Sequence, residues 1–132
     1  CLKLYEQNPE YAIEKIKKDP RTKNIFSNFQ NPWFFFDSPE EYREIFEKYK
    51  FVVSHCKIDT ILSVHSPEDI FKIFSSGAAA GYLNPEYYSV PFSDEYTDIF
   101  NSIVMQEFVN QCNDNGLVEL EFNRIYLIAN KT

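Results

Sequence analysis

The chain has 132 residues and a net charge of −7 at pH 7, and 44% of its residues are hydrophobic and 17% aromatic. This length and composition predict one globular domain with a sizeable core. The acidic charge argues against a nucleic-acid surface. The odd number of cysteines argues against a disulfide framework and a zinc site, and the lack of a long apolar run argues against a membrane span. Neither nucleic acid nor a membrane is an expected partner, and a reducing cytoplasm is the expected compartment.

Four helix starts share one pattern, in which a small polar residue precedes Pro and Glu. The polar residue offers an N-cap oxygen, the proline suits the first helical position, and the glutamate favours the positive end of the helix dipole. The four starts are Asn8-Pro9-Glu10, Ser38-Pro39-Glu40, Ser66-Pro67-Glu68 and Asn84-Pro85-Glu86.

The second start predicts a helix over residues 39–49, followed by a strand over 51–58. Glu41 can complete a capping box with Ser38, and apolar residues then recur at helical spacing. The next stretch is rich in residues that favour strands. One face of this strand would carry Val52, Ser54, Cys56 and Ile58.

Segment 75–93 contains two glycines and two prolines, which predict an irregular connection with one helical turn after Asn84. A longer helix is expected from Ser93 onward. Asn115-Gly116 would end that helix as a left-handed C-cap.

The last run, residues 117–131, predicts a long strand, because its apolar residues alternate on even positions. From Ile125 onward the odd positions are apolar too, so both faces are expected to be covered there. A ribbon of two strands is only marginally stable, so the predicted sheet needs further strands.

The polar residues that could carry chemistry fit ordinary structural or surface positions. His55 and Cys56 are strand neighbours that point to opposite faces, so they cannot form a nucleophile and base pair. His65 precedes a helix cap and has no second ligand nearby in sequence. The three glycines form no nucleotide-binding loop. No catalytic, cofactor-binding or metal-binding residue is therefore predicted.

An uninterrupted aromatic run, Trp33 to Phe36, directly precedes the predicted helix at 39–49. These side chains cannot all face inward from one extended segment. Part of the run is expected to pack in the core and part to form a ligand wall or a partner surface, because exposed aromatic clusters mark contact sites.

The order of two stretches resembles the C-terminal part of class I S-adenosylmethionine-dependent methyltransferases, in particular the branch of trans-aconitate and juvenile-hormone-acid methyltransferases. The stretches are NPWFFFDSPEEYREIFEKYKFVV and LVELEFNRIYLIANK. In that branch, a segment of the form P-W/Y-F/Y-F-x-S/T-P-E-E-Y leads into the last large helix, the sixth strand, a variable helical insertion and the seventh strand. The similar parts here are 32–42, 39–49, 51–58, 61–115 and 117–131.

This resemblance implies an α+β fragment with a small antiparallel sheet, the C-terminal part of an α/β, Rossmann-like methyltransferase fold with a lid at 61–115. The parent protein would transfer a methyl group from S-adenosylmethionine to a small organic molecule, polar or carboxylated. The family's glycine-rich cofactor loop, ribose-binding acidic residue and first five strands would lie upstream, so the fragment alone would bind no cofactor and be inactive. The residues expected to contact substrate are Trp33, Phe34, Phe35, Tyr82 and Tyr88.

The family's sheet order also predicts an unpaired strand edge. Its seventh strand lies, antiparallel, between the fifth and the sixth, so residues 117–129 would lose one neighbour without the first five strands. An unpaired edge invites a new strand. The expected cover is the N-terminal segment Leu2–Glu6 or, in a homodimer, another copy of the chain.

Two other functions remain open. The first is a non-enzymatic α+β interaction domain that anchors a protein partner on the aromatic run. The second is a small-ligand module with a pocket between the helix at 94–112 and the sheet.

Overall fold

A computed structural model describes residues 2–4 and 8–132 of the chain, with side-chain surroundings from residue 11 onward. Six α-helices and three strands occur in this part of the chain, which confirms the predicted α+β class and its small antiparallel sheet. The elements are β1 (Leu2–Leu4), α1 (Asn8–Lys18), α2 (Lys23–Phe26), α3 (Pro39–Lys48), β2 (Phe51–His65), α4 (Pro67–Ser76), α5 (Ala78–Tyr82), a 3-10 turn (Pro85–Tyr87), α6 (Asp94–Asn110) and β3 (Val118–Lys131).

The described residues form two compact units. The first contains β1, Trp33–Leu62 and Glu121–Thr132, and α3 is its helix. The second contains residues 8–32 and Ser63–Leu120, and it holds the other five α-helices. None of the helices in the described ranges is both long and apolar enough to cross a membrane.

The N-terminal segment covers part of the free edge of β3, as expected. β1 pairs antiparallel with β3, and its three residues lie opposite Phe122 to Arg124. The prediction is thus confirmed for Leu2–Leu4, whereas Glu6 lies outside the described residues. Beyond these three pairs, the same edge of β3 from Ile125 to Lys131 faces no other strand of the described chain.

β2 lies along the other edge of β3 and is also antiparallel to it. The Ser54 hydroxyl donates to the Ile128 carbonyl at 3.3 Å, and the Thr60 hydroxyl donates to Asn123 Oδ1 at 2.7 Å. The residue numbers of the bonded partners rise along β2 and fall along β3, so the two strands are antiparallel. Because β2 spans Phe51–His65, it continues well beyond the predicted strand at 51–58.

Burial does not alternate regularly at the start of β2. Val53 is buried and Val52 is 55% exposed, so Val52 does not lie on the buried face. Cys56 and Ile58, further along the strand, are half-buried. The alternation changes phase at the exposed neighbours Ser54 and His55, a shift that periodicity over a short window does not reveal.

The expected burial of both faces of β3 is wrong for its second half. Val118 and Leu120 are buried, but Tyr126 and Ile128 are 38% and 57% exposed. The first unit has a single helix, α3, and one helix covers only one face of a sheet. The other face therefore meets solvent in the described chain.

In the second unit, α1 and α6 pack together around a largely aromatic core. Glu107 on α6 is 7% exposed, and its carboxylate pairs with Lys15 Nζ of α1 at 2.5 Å. A nearly buried carboxylate is tolerated only with such a partner. Fully or almost fully buried core side chains are Ile16, Ile70, Phe74, Tyr96, Phe100, Val104 and Phe108.

Two expectations about connecting segments need correction. Segment 75–93 contains the helix α5, although the turn after Asn84 occurs as predicted. Asn115-Gly116 does not cap α6, because that helix already ends at Asn110. Gly116, with a φ of 72°, instead belongs to the turn into β3, where its N–H donates to the Asn113 carbonyl at 2.9 Å.

The predicted capping box at the start of α3 is confirmed and yields a stability prediction. Ser38 Oγ accepts from the Glu41 N–H at 3.3 Å, and Glu41 Oε2 accepts from the Ser38 N–H at 3.0 Å. We expect Ser38→Ala to lower the free energy of unfolding by about 1 kcal/mol, because a backbone donor of the first turn loses its acceptor.

Chemical denaturation followed by circular dichroism measures this change. Ser75→Ala is the matched control, since Ser75 is an exposed serine inside α4 and alanine favours helices. An equal loss in both variants would contradict the capping role.

Candidate functional site

The aromatic run lies in an extended segment before α3 and is partly exposed, but none of its side chains is buried in the core, where part of the run was expected. Phe34 is 76% exposed, whereas Trp33, Phe35 and Phe36 are half-buried. The Phe34 and Phe36 rings meet edge to face, with centroids 5.0 Å apart. The run therefore presents one exposed aromatic side chain, Phe34, next to three half-buried ones.

The first turn of α3 holds the C-terminal end of this run in place. The Phe36 N–H donates to the Tyr42 hydroxyl at 3.2 Å, and the two rings meet edge to face at 4.9 Å. The Asp37 N–H donates to Glu41 Oε2 at 3.0 Å. Because Tyr42 and Glu41 belong to a capped helix, the position of the run depends on the same residues that start α3.

Tyr82 and Tyr88, the other predicted contact residues, lie together in the second unit. The Tyr88 hydroxyl donates to the Tyr82 carbonyl at 2.6 Å. Tyr88 has only one hydroxyl proton, so the Tyr96 hydroxyl, 3.1 Å away, is the donor in the second hydrogen bond. Tyr88 is 9% exposed and Tyr96 is 2% exposed.

Burial keeps both of these phenols neutral. Desolvation raises the pKa of Tyr88. Desolvation also raises the pKa of Tyr96. Neither hydroxyl is suited to act as a base near neutral pH.

The segment between α5 and α6 is fastened to the loop after α2. The Gln30 N–H donates to the Tyr87 carbonyl at 2.7 Å, and the Ser89 N–H donates to the Asn28 carbonyl at 3.2 Å. Phe29 stacks obliquely on Tyr88 at 5.3 Å. Movement of this segment as a lid would have to break all three contacts.

The five predicted contact residues thus form two groups. Trp33, Phe34 and Phe35 belong to the first unit, and Tyr82 and Tyr88 to the second. Sequence reasoning missed Tyr42 and Tyr96, the hydroxyl partners of the two groups. Their signal was available, because each is the first large aromatic residue after a serine N-cap.

The histidines and the described cysteines form no reactive pair. Cys56 Sγ donates to the Pro39 carbonyl at 3.4 Å, and burial raises the pKa of this thiol. His65 Nε2 contacts Ser63 Oγ at 2.8 Å. Across the described ranges, no three His, Cys, Asp or Glu side chains come together as a metal site.

A groove of about 580 Å³ lies on the second unit between α4 and α6. The small-ligand hypothesis predicted a pocket between the helix at 94–112 and the sheet, so this groove lies in a different place. It is broadly open to solvent along α6. The lining residues are Phe71, Asp98, Asn101, Ser102, Met105, Gln106 and Val109.

No protein-family model matches the chain, and neither does any curated protein sequence.

The tyrosine hydrogen bonds of the second unit lead to a stability prediction. We expect Tyr88→Phe to lower the free energy of unfolding by about 1–3 kcal/mol, because the Tyr82 carbonyl loses its donor and the Tyr96 hydroxyl loses its acceptor. Urea denaturation measures the loss. Tyr87→Phe at the neighbouring half-buried tyrosine serves as the control, and similar stability of the two variants would contradict the importance of the hydrogen bonds.

Proposed function

We propose that the chain is the substrate-side, C-terminal region of a class I S-adenosylmethionine-dependent methyltransferase acting on a small, polar or carboxylated organic molecule. The observation that carries the proposal is the place of β3, which lies between β1 and β2 and is antiparallel to both. The class that the sequence resembles has its seventh strand in such a position, antiparallel between the fifth and the sixth.

The connections between the strands support the same proposal. β2 and β3 are joined by a helical segment that contains α4, α5 and α6, as the sixth and seventh strands are joined by a variable helical insertion in the resembled branch. The capped helix α3 directly precedes β2 and follows the aromatic run. Under this proposal, β1 covers part of the edge of β3 that would face the fifth strand.

The described residues do not fit the cofactor itself. A nucleotide-type cofactor needs a glycine-rich turn at a helix start, and the glycines are only Gly77, Gly81 and Gly116. Gly116 lies in a turn that leads into a strand. Gly77 is the N-cap residue of the short helix α5, and Gly81 lies within that helix. We therefore assign no residue of this chain to S-adenosylmethionine, whose binding residues would lie upstream.

The aromatic run has the properties of a substrate wall. Direct methyl transfer needs the acceptor and the donor held in line, with water excluded, so positioning matters more than acid or base chemistry. The open ring of Phe34 can lie against a bound molecule, while Trp33 and Phe35 are half-buried beside it. The Tyr88 hydroxyl already donates to the Tyr82 carbonyl, so Tyr82 and Tyr88 would contact a substrate through their rings.

An activity assay on the full open reading frame that contains these residues tests the proposal. Transfer of a labelled methyl group from S-adenosylmethionine to members of a panel of small carboxylic acids is expected. We expect Phe34→Ala to lower kcat/KM about tenfold, because an exposed ring in contact with substrate contributes about 1–2 kcal/mol.

Tyr49→Ala is the matched control, because Tyr49 is 65% exposed and follows α3 instead of preceding it. Its kcat/KM should stay within about twofold of the parent value, since surface substitutions away from a site have small effects. Loss of activity in the control but not in Phe34→Ala would contradict the assigned wall. Absence of methyl transfer to any acid of the panel would count against the proposed substrate class.

A binding measurement tests how the site is divided. Titration of the 132-residue chain with S-adenosylmethionine should give no heat of binding beyond dilution, because the described residues hold no cofactor loop. Saturable heat at a 1:1 ratio would show that the cofactor residues lie in this chain and that the division is wrong.

A protein-interaction domain remains the second candidate, favoured by the exposed rings of Phe34 and Tyr49. Aromatic side chains on a surface are frequent anchors of protein interfaces. The reading frame upstream of Cys1 distinguishes the two candidates. A strand, a glycine-rich loop and a helix followed by an acidic residue would support the enzyme, and a start codon directly before Cys1 would support the interaction domain.

A further inference from the structure

The turn between α6 and β3 contains the pair Asn115-Gly116, which does not cap α6. Asn113 holds this turn with both its backbone and its side chain. Its N–H donates to the Leu117 carbonyl at 2.8 Å, and its carbonyl accepts from the Gly116 N–H at 2.9 Å. Its Oδ1 accepts from the Asn115 N–H at 2.9 Å and from the Leu117 N–H at 3.1 Å. One residue, Asn113, therefore fixes the backbone on both sides of Asn115.

The Asn115 side chain lies beside the residue that least hinders a reaction with the backbone. Both Asn115 and Gly116 are exposed to solvent. Apart from its chain neighbours, no atom of the described residues lies within 4 Å of the place where a side chain on Gly116 would begin. Glycine has no Cβ, so its backbone reaches conformations that are closed to other residues. No other asparagine in the sequence precedes a glycine.

An exposed Asn-Gly pair can react within itself. The backbone nitrogen of Gly116 loses its proton and attacks Cγ of Asn115, so that a C–N bond forms. The bond from Cγ to Nδ2 breaks, and the amide group leaves as ammonia with that proton. Water then opens either carbonyl of the resulting succinimide ring, which yields aspartate or isoaspartate at position 115. The adjacency of the two groups favours this attack, and asparagine is a thermolabile residue.

We propose that Asn115 is a site of spontaneous deamidation and that the hydrogen bonds of Asn113 control its rate. The nitrogen that attacks already donates its N–H to the Asn113 carbonyl, so its proton is lost only when that hydrogen bond opens. The Asn113 side chain holds the N–H groups of Asn115 and Leu117 and so opposes this opening. Asn113 thus slows the reaction without taking part in it. The inference uses only the turn and does not depend on the proposed function.

The modification changes both the charge and the length of the turn. Each product has one more negative charge than asparagine, next to Asp114 in a chain whose net charge is already −7. Isoaspartate also adds one carbon atom to the main chain between positions 115 and 116. The hydrogen bonds between Asn113 and Leu117 cannot span this longer turn unchanged. Val118, the first residue of β3, follows directly and is 1% exposed, so deamidation is expected to loosen the start of that strand.

Peptide mapping by mass spectrometry during incubation in mildly alkaline buffer tests the site. In the folded wild-type chain, we expect Asn115 to change from amide to acid faster than any other asparagine. Asn113→Ala should raise the rate at Asn115 about fivefold, because two backbone N–H groups of the turn lose their acceptor. Asn113→Asp is the matched control, since its carboxylate keeps an acceptor at the same place, and its rate should stay within about twofold of the wild-type rate.

The same measurement in concentrated urea separates the effect of the turn from that of the sequence. The unfolded wild-type chain should react at least about fivefold faster than the folded chain, and as fast as unfolded Asn113→Ala, because the hydrogen bonds of Asn113 are then absent. Faster reaction at another asparagine of the folded chain, or equal rates of folded wild type and folded Asn113→Ala, would overturn the proposal. If Asn113→Ala does not fold by circular dichroism, the wild-type comparison decides, and an unfolded chain that reacts no faster than the folded one overturns the proposal.

Discussion

The backbone pairing of β3 is the interaction on which the first unit depends. This strand takes hydrogen bonds from β2 on one side and from β1 on the other, and both neighbours are antiparallel to it. An isolated two-stranded ribbon is only marginally stable, so β1 and the packing of α3 each matter. The Arg43 guanidinium donates to the Val53 carbonyl at 2.6 Å and thus ties α3 to β2.

The second unit depends on aromatic packing and a few buried polar contacts. The buried polar residues Thr22 and Glu107 of the described chain both have partners: the Thr22 hydroxyl donates to the Ile16 carbonyl at 2.7 Å, and Glu107 pairs with Lys15. The tyrosine pair of Tyr88 and Tyr96 plays the same part beside α5. Such contacts fix which helix faces which, because a misplaced partner would leave a buried group unsatisfied.

Local signals in the sequence predicted the elements well where side chain and backbone interact within a few residues. Ser38 and Ser66 both accept from a backbone N–H three residues on, as their sequences predicted. The faces of β2 and β3 were harder to predict, since burial of Val52 or Ile128 depends on whether another layer covers that side. No local pattern contains that information.

The candidate site was predictable in part for the same reason. The aromatic run before α3 was visible in sequence, but which of its members is most exposed, Phe34, was not. The burial of Tyr88 was not visible, because it depends on Tyr82, Phe29 and Tyr96, which come from different segments. Aromatic residues in an apparently irregular segment can equally line a pocket or fill a core, and only the tertiary contacts distinguish these outcomes.

The distance in sequence between β2 and β3 has a consequence for the order of folding. Thr60 and Asn123 are hydrogen-bonded partners separated by 63 positions, and Lys50 and Thr132 by 82. Closing so long a loop costs entropy before any strand contact is gained. The segment between the two strands contains α4, α5 and α6, which pack on one another as near neighbours in sequence and so shorten the search. These three helices should therefore pack early and the sheet should close last, which leaves the strands of a nascent chain open to kinetic traps for longer than α4, α5 and α6.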